Sequence, residues 1–135
     1  MHEGHQSTAT IPVGDENIGR IVVDGALTVH RALGPGLLES VYETCLAEEL
    51  LQRGLKVERQ LGVAVSYGKV KVDVGLRLDL LVEGRVVIEV KAIDALASIH
   101  TAQLLTYLRF SSLRLGYLIN FNTTLLKNGL RRVVL

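Results

Sequence analysis

A chain of 135 residues with 48% hydrophobic content falls in the range of one globular domain with a single buried core. Fifteen Lys and Arg against fourteen Asp and Glu give a formal charge of +1, too near balance to select a partner on its own. No stretch approaches the roughly 20 apolar residues of a membrane span, residues 1–14 lack the apolar centre of a signal peptide, and the lone Cys45 excludes an internal disulfide, so a reducing cytoplasm is the expected compartment.

Residues 1–14 are polar, small and unpatterned and read as a flexible tail, with the folded domain over 15–135. From Asn17, a plausible cap, Ile18, Ile21, Val22, Val29 and Leu33 recur at helical spacing until Leu33-Gly34-Pro35-Gly36 ends the pattern. A second helix is expected over 37–52, with Leu38, Val41, Tyr42, Cys45 and Leu46 turned inward and Gly54 just past its end. Residues 55–67 change period and become rich in Val, as a strand does. Then Val72, Val74, Leu76, Leu78, Leu80 and Val82 alternate with Lys71, Asp73, Gly75, Arg77 and Asp79, the pattern of a strand with one buried face.

A turn at Glu83-Gly84-Arg85 leads to a short apolar strand over 86–92, interrupted only by Glu89 and Lys91. A third helix over 98–113, a strand over 115–121 and a closing hairpin through Asn128-Gly129 complete the order ααβββαβ. Charge is unevenly spread along this order. Residues 1–90 carry nine basic and thirteen acidic side chains (net −4), and residues 91–135 carry six and one (net +5), so an anionic ligand is drawn toward the C-terminal part.

Charges inside an apolar strand are costly unless paired or bound to a metal, and the two-residue spacing of Glu89 and Lys91 puts them on one face. Whether Asp79 joins them depends on the hairpin. A two-residue loop of Glu83-Gly84 pairs Asp79 with Ile88 and turns it away from Glu89. A three-residue connection through Arg85, or a bulge at a left-handed Gly84, pairs Asp79 with Glu89, sets Arg77 opposite Lys91, and keeps Leu78 and Leu80 against Val90 and Ile88. The odd register is the expectation. Two carboxylates then hold Mg²⁺ or Mn²⁺ while leaving positions for water and a phosphate, and Lys91 orients the attacking water.

Asp79 and Glu89-Val90-Lys91 on adjacent strands resemble the signature of the PD-(D/E)XK nuclease superfamily. Gly36-Leu37-Leu38-Glu39-Ser40-Val41-Tyr42 resembles the naming motif of its GxxExxY branch. Further likeness lies in residues 30–36, in Arg77-Leu78-Asp79-Leu80-Leu81, in residues 100–108 and in Leu118-Ile119-Asn120-Phe121, with Leu78 in place of the proline before Asp79. The resemblance implies an α/β restriction-endonuclease-like fold, a mixed β-sheet flanked by helices, and metal-dependent cleavage of DNA, exonucleolytic action being favoured over endonucleolytic. It implies Glu39, Asp79, Glu89 and Lys91 as catalytic residues, the three carboxylates as metal ligands, and Gln103 and Tyr107 as the QxxxY element of RecB-like nucleases.

His100, Gln103, Tyr107 and Arg114 also share a helical stripe by spacing, which agrees with the substrate contact that the resemblance implies for Gln103 and Tyr107; with His100 and the strand residue Arg77 they make up the expected nucleic-acid contacts. So small a domain has little surface for gripping DNA, and a homo-oligomer is expected. Other readings stand beside these. Glu89 and Lys91 fit a salt bridge on a solvated face, Glu39 fits a first-turn carboxylate favoured by the helix dipole, and Arg77 fits either a site ion pair or a phosphate contact. His30 fits a capping or buried role as well as a metal or phosphate ligand, Tyr42 fits core packing, and Arg131 and Arg132 fit a solvated pair or backbone contacts. The rival functions are a catalytically silent nucleic-acid-binding or assembly module of the same fold, and a metal-dependent hydrolase of smaller phosphate esters.

Overall fold

In the computed structural model, which describes residues 13–135, two helices open the chain: α1 (Val13–Leu33) and α2 (Glu39–Gln52). Three antiparallel strands follow, β1 (Val57–Tyr67), β2 (Val70–Val82) and β3 (Val86–Lys91). Helix α3 (Ser98–Ser111) crosses to β4 (Leu115–Asn120), parallel to β3, and a 3₁₀ turn at Leu126–Gly129 leads into β5 (Leu130–Val134), antiparallel to β4. The five strands form one mixed sheet in the order β1-β2-β3-β4-β5. This is the α/β architecture expected. The tail expected over residues 1–14 lies outside the described residues except for Val13 and Gly14, which begin α1.

The sheet separates two unequal cores. Val22, Ala26 and Val29 of α1 and Tyr42, Leu46 and Leu50 of α2 pack on Leu80, Val82, Ile88, Val90, Leu115 and Ile119. On the other side Leu104 and Leu108 of α3 meet Leu78, Leu81, Val87, Leu118 and Val133. β3 and β4, covered on both faces, are almost wholly apolar, as a parallel pair between helix layers must be. Among the described residues no helix is long and apolar enough to cross a membrane.

The Gly-Pro-Gly turn between α1 and α2 is held by Tyr42. Its hydroxyl donates to the Gly34 carbonyl at 2.6 Å and accepts from the Leu37 N–H at 3.0 Å, while its ring stacks on Phe121 with centroids 4.7 Å apart. Tyr42 is therefore a core residue that also clamps the turn. His30 is buried near the same Phe121 ring, centroids 6.3 Å apart, with Nε2 at 2.7 Å from the Thr123 carbonyl.

Several expectations need correction. Asn17 lies inside α1 and does not cap it, and Leu38, expected inward, precedes α2 and is 75% exposed. The antiparallel connection from β4 to β5 does run through Asn128-Gly129, but these residues end a 3₁₀ turn instead of forming a tight hairpin, and Gly129 packs against the Asn120 carbonyl, where a Cβ has no room. Arg114 is not on the α3 stripe. The helix ends at a left-handed Ser112, so Arg114 lies in the connection to β4, donating from Nε to the Leu135 carbonyl. The alternation in β2 does not bury one face throughout: Val72 and Val74 are about half exposed, because the outer halves of β1 and β2 form a ribbon that extends past β3. Finally, Leu78 does not share a side with Leu80, for a reason that lies at the site itself.

Candidate active site

β2 and β3 pair through Val82↔Val86, Leu81↔Val87 and Leu80↔Ile88, so the hairpin connection has three residues. Its left-handed backbone at Glu83 (φ 55°) and Gly84 (φ 66°) makes the tight turn, and Arg85 is the extra residue that sets the odd register. The next rung of this register joins Asp79 to Glu89, and there the strands part. The Asp79 N–H donates to Glu89 Oε2 at 3.0 Å, and the Val90 N–H donates to Asp79 Oδ2 at 2.9 Å. Each carboxylate thus caps a backbone group that the splayed ladder has left without its usual partner.

The same point is a face swap in the β1-β2 ribbon. Rungs Arg59↔Leu80 and Leu61↔Leu78 flank an unpaired Gln60 and Asp79, and Gln60 adopts φ 51°. Below the swap Leu80 and Val82 face α1 and α2; above it Leu61, Leu76 and Leu78 face α3. Asp79 stands at the crossover, and that is why Leu78 and Leu80, two residues apart, enter different cores.

Glu89 and Lys91 follow Val87 on the side of β3 that faces α3. Glu89 is 5% exposed, and its carboxyl is pushed up to about 8 by burial first and by the neighbouring Asp79 charge second, with Lys91 pulling it down. Burial likewise raises Asp79, as do the charges of Glu43 and Glu39. Two neighbouring acids, one of them buried, are a fit for a hard divalent cation, whose charge would remove the repulsion and whose other positions would take water and phosphate oxygen. Asp79 and Glu89 supply oxygen donors of the right kind. Glu39 lies on the exposed first turn of α2, and among the described residues no three His, Cys, Asp or Glu side chains gather into one ligand cluster.

Other expected site residues are placed as follows. Lys91 is partly buried and pairs in register with Asn120 of β4; on its other side the β2-β3 ladder ends at Leu80↔Ile88, so Arg77 forms no rung with it, and Arg77 is exposed on the ribbon, its Nη1 3.5 Å from the Gln60 carbonyl. Tyr107 is partly buried on α3 near both carboxylates, whose charges, after burial, push its hydroxyl above the ordinary value. Gln103 is exposed one turn before it. His100 accepts the Ala97 N–H at Nδ1, 2.8 Å away, and so caps the start of α3. Arg131 reaches the Leu96 carbonyl and Thr101, and Arg132 pairs with Glu16.

Three residues not singled out from the sequence belong to this region. Glu43 is buried on α2 and bound by Arg59 at 3.2 Å and by the Gln60 amide at 2.8 Å. That amide also reaches Asp79 Oδ1 at 3.4 Å. Asn120, 1% exposed, holds the loop after Lys91 by exchanging hydrogen bonds with the backbone of Ile93. Glu43 had a visible signal, since it precedes buried Leu46, Ala47 and Leu50 by three, four and seven positions and so stands on the inward stripe of α2.

A mixed sheet between helix layers, with an aspartate and a Glu-x-Lys strand meeting where two strands splay, defines an α/β domain with an acidic, cation-fitting site. The model of the PD-(D/E)XK nuclease superfamily matches residues 16–133, and the chain belongs to that superfamily. Comparison with curated proteins and comparison with solved structures give no match.

Proposed function

We propose that this protein is a nuclease that hydrolyses phosphodiester bonds in DNA with the help of Mg²⁺ or Mn²⁺. The observation that carries the reading is the interlocked pair of Asp79 and Glu89 with Lys91 two residues further on the same face. A divalent cation on this pair supplies Lewis-acid stabilisation of the charge that develops on the phosphate oxygens. Asp79 and Glu89 hold it: each has one oxygen fixed by a backbone N–H, the second Asp79 oxygen faces the Gln60 amide, and a carboxylate oxygen keeps a further lone pair for a cation. Lys91 holds the attacking water in line and offsets negative charge in the transition state. Tyr107, beside both carboxylates, and Gln103, one turn away, contact the substrate from α3.

Glu39 is proposed as the third acid, brought to the cation from the first turn of α2, where its charge already reaches Asp79. We also assign the chain to the GxxExxY branch, on the strength of Gly36, Glu39 and Tyr42 and of the clamp by which Tyr42 fixes the turn ahead of Glu39. The excess of positive charge over residues 91–135 supports a polyanionic substrate. A homo-oligomer that brackets the duplex, working in the cytoplasm and degrading from ends, completes the reading.

The test is incubation with linear and closed circular DNA, each with Mg²⁺, Mn²⁺ or chelator. Metal-dependent loss of linear DNA with the circle spared supports exonucleolytic cleavage; nicking of the circle points to endonucleolytic action. Retention of both with every metal sinks the nuclease reading in favour of a silent binding module.

A further inference from the structure

Gln60 is out of place by any local rule. It interrupts a Val-rich strand, takes a left-handed backbone at φ 51° that glycine tolerates and glutamine does not favour, and leaves the ladder unpaired at that rung. Strain of this kind persists where the surroundings over-determine it, and it concentrates at functional sites. Here the surroundings are specific. Gln60 Nε2 donates to Glu43 Oε1 at 2.8 Å and to Asp79 Oδ1 at 3.4 Å, so one amide group faces two carboxylates.

Because both neighbours are acceptors, the amide orientation is fixed with its NH₂ toward them. Glu43 is itself anchored, its other oxygen bound by Arg59, which also reaches Thr44 on α2. Asp79 Oδ2 is meanwhile taken by the Val90 N–H. With one donor on each oxygen the Asp79 carboxylate has a single orientation.

We infer that Gln60 is a positioning residue for the cation site: its left-handed backbone aims the side-chain amide between Glu43 and Asp79, and so fixes the Asp79 carboxylate against the body of α2. Gln60 touches neither cation nor substrate; it acts through Asp79. The inference rests on the metal-site reading above. It explains why this position carries glutamine where a backbone requirement alone is met by glycine.

The test is titration of the metal-free protein with Mn²⁺ by calorimetry, with thermal melting alongside, for wild type, Gln60→Gly, Gln60→Asn and Asp79→Asn. Glycine relieves the left-handed backbone and removes the amide; asparagine tolerates that backbone but its amide is one methylene too short. Both are expected to melt at or above the wild-type temperature and to bind Mn²⁺ roughly tenfold more weakly, the usual cost of losing a group that orients a metal ligand. Binding within twofold of wild type in both, with Asp79→Asn impaired, overturns the inference and leaves the cation site standing. A large fall in melting temperature in both overturns it too, because Gln60 is then a folding element. Wild-type affinity in Asp79→Asn removes the cation site, and the inference falls with it.

Discussion

Asp79 and Glu89 exchange partners across the parting of β2 and β3: Glu89 accepts the N–H of Asp79, and Asp79 accepts the N–H of the residue after Glu89. Both carboxylates are thereby drawn into a cleft where their charges oppose one another. Glu89→Gln keeps an oxygen for the Asp79 N–H and removes one charge. It is expected to raise the melting temperature of the metal-free protein at pH 8 by several degrees and to weaken Mg²⁺ binding at least tenfold. Calorimetry and thermal melting check both; a lower melting temperature argues that the pair is stabilising as it stands.

Stability should depend on pH in a definite sense. Glu89 titrates near 8 in the folded protein and near 4.5 when unfolded, so the folded state binds the proton more tightly. The stabilisation is complete below about pH 4.5 and is lost as pH rises through about 8, and Asp79, also raised, acts in the same direction. The metal-free protein is expected to melt several degrees lower at pH 8.5 than at pH 6. Saturating Mg²⁺ or the Glu89→Gln substitution should flatten that profile, and a flat profile in the wild type contradicts it.

Lys91→Ala is expected to reduce cleavage by about 10²- to 10⁴-fold, the range for a positioned group acting on a proton or developing charge. Folding and Mn²⁺ affinity should change little, since Lys91 is no ligand in this arrangement. Cleavage at the wild-type rate removes its role.

Tyr107→Phe keeps the ring against the smaller core and deletes the hydroxyl beside the two carboxylates. Cleavage should fall roughly five- to tenfold, the value of one net hydrogen bond, with cation affinity preserved. Gln103→Ala should act in the same direction. Loss of Mn²⁺ binding in either variant means that α3 lies against the cation.

Tyr42→Phe separates structure from chemistry within the Gly-x-x-Glu-x-x-Tyr run. The Gly34 carbonyl and the Leu37 N–H both lose their partner, at an expected cost of about 1–3 kcal/mol in stability. Denaturant unfolding measures it. Per folded molecule, cation affinity should be retained.

The sequence made the Asp79 to Glu89 relationship legible because alternation is a parity: once Glu83, Gly84 and Arg85 are counted as the connection, the faces follow. The period of 2 likewise puts Lys91 on the face of Glu89. The face swap was not legible. A change of side in a strand is usually flagged by glycine, and here glutamine takes the left-handed conformation, held by a carboxylate on a helix that neighbours it only in space. The misplaced Leu78 goes with that swap, and the missing rung between Arg77 and Lys91 with the end of the β2-β3 ladder at Leu80↔Ile88. Helical spacing carries no notice of where Ser112 turns the chain, and so Arg114 falls off the α3 stripe.

The two unequal cores have a consequence for motion. α3 rests on a cluster built from Leu78, Leu81, Val87, Leu104, Leu108, Leu118 and Val133, while α1 and α2 share the far larger one. Less apolar area holds α3 to the sheet, so its amides should exchange with solvent hydrogen sooner than those around Leu46 and Ile88. The helix that bears Gln103 and Tyr107 is thus the first to loosen. On the proposed reading, in which Gln103 and Tyr107 contact the substrate, the layer that receives it is the one that yields, while the larger core holds the other side of the sheet.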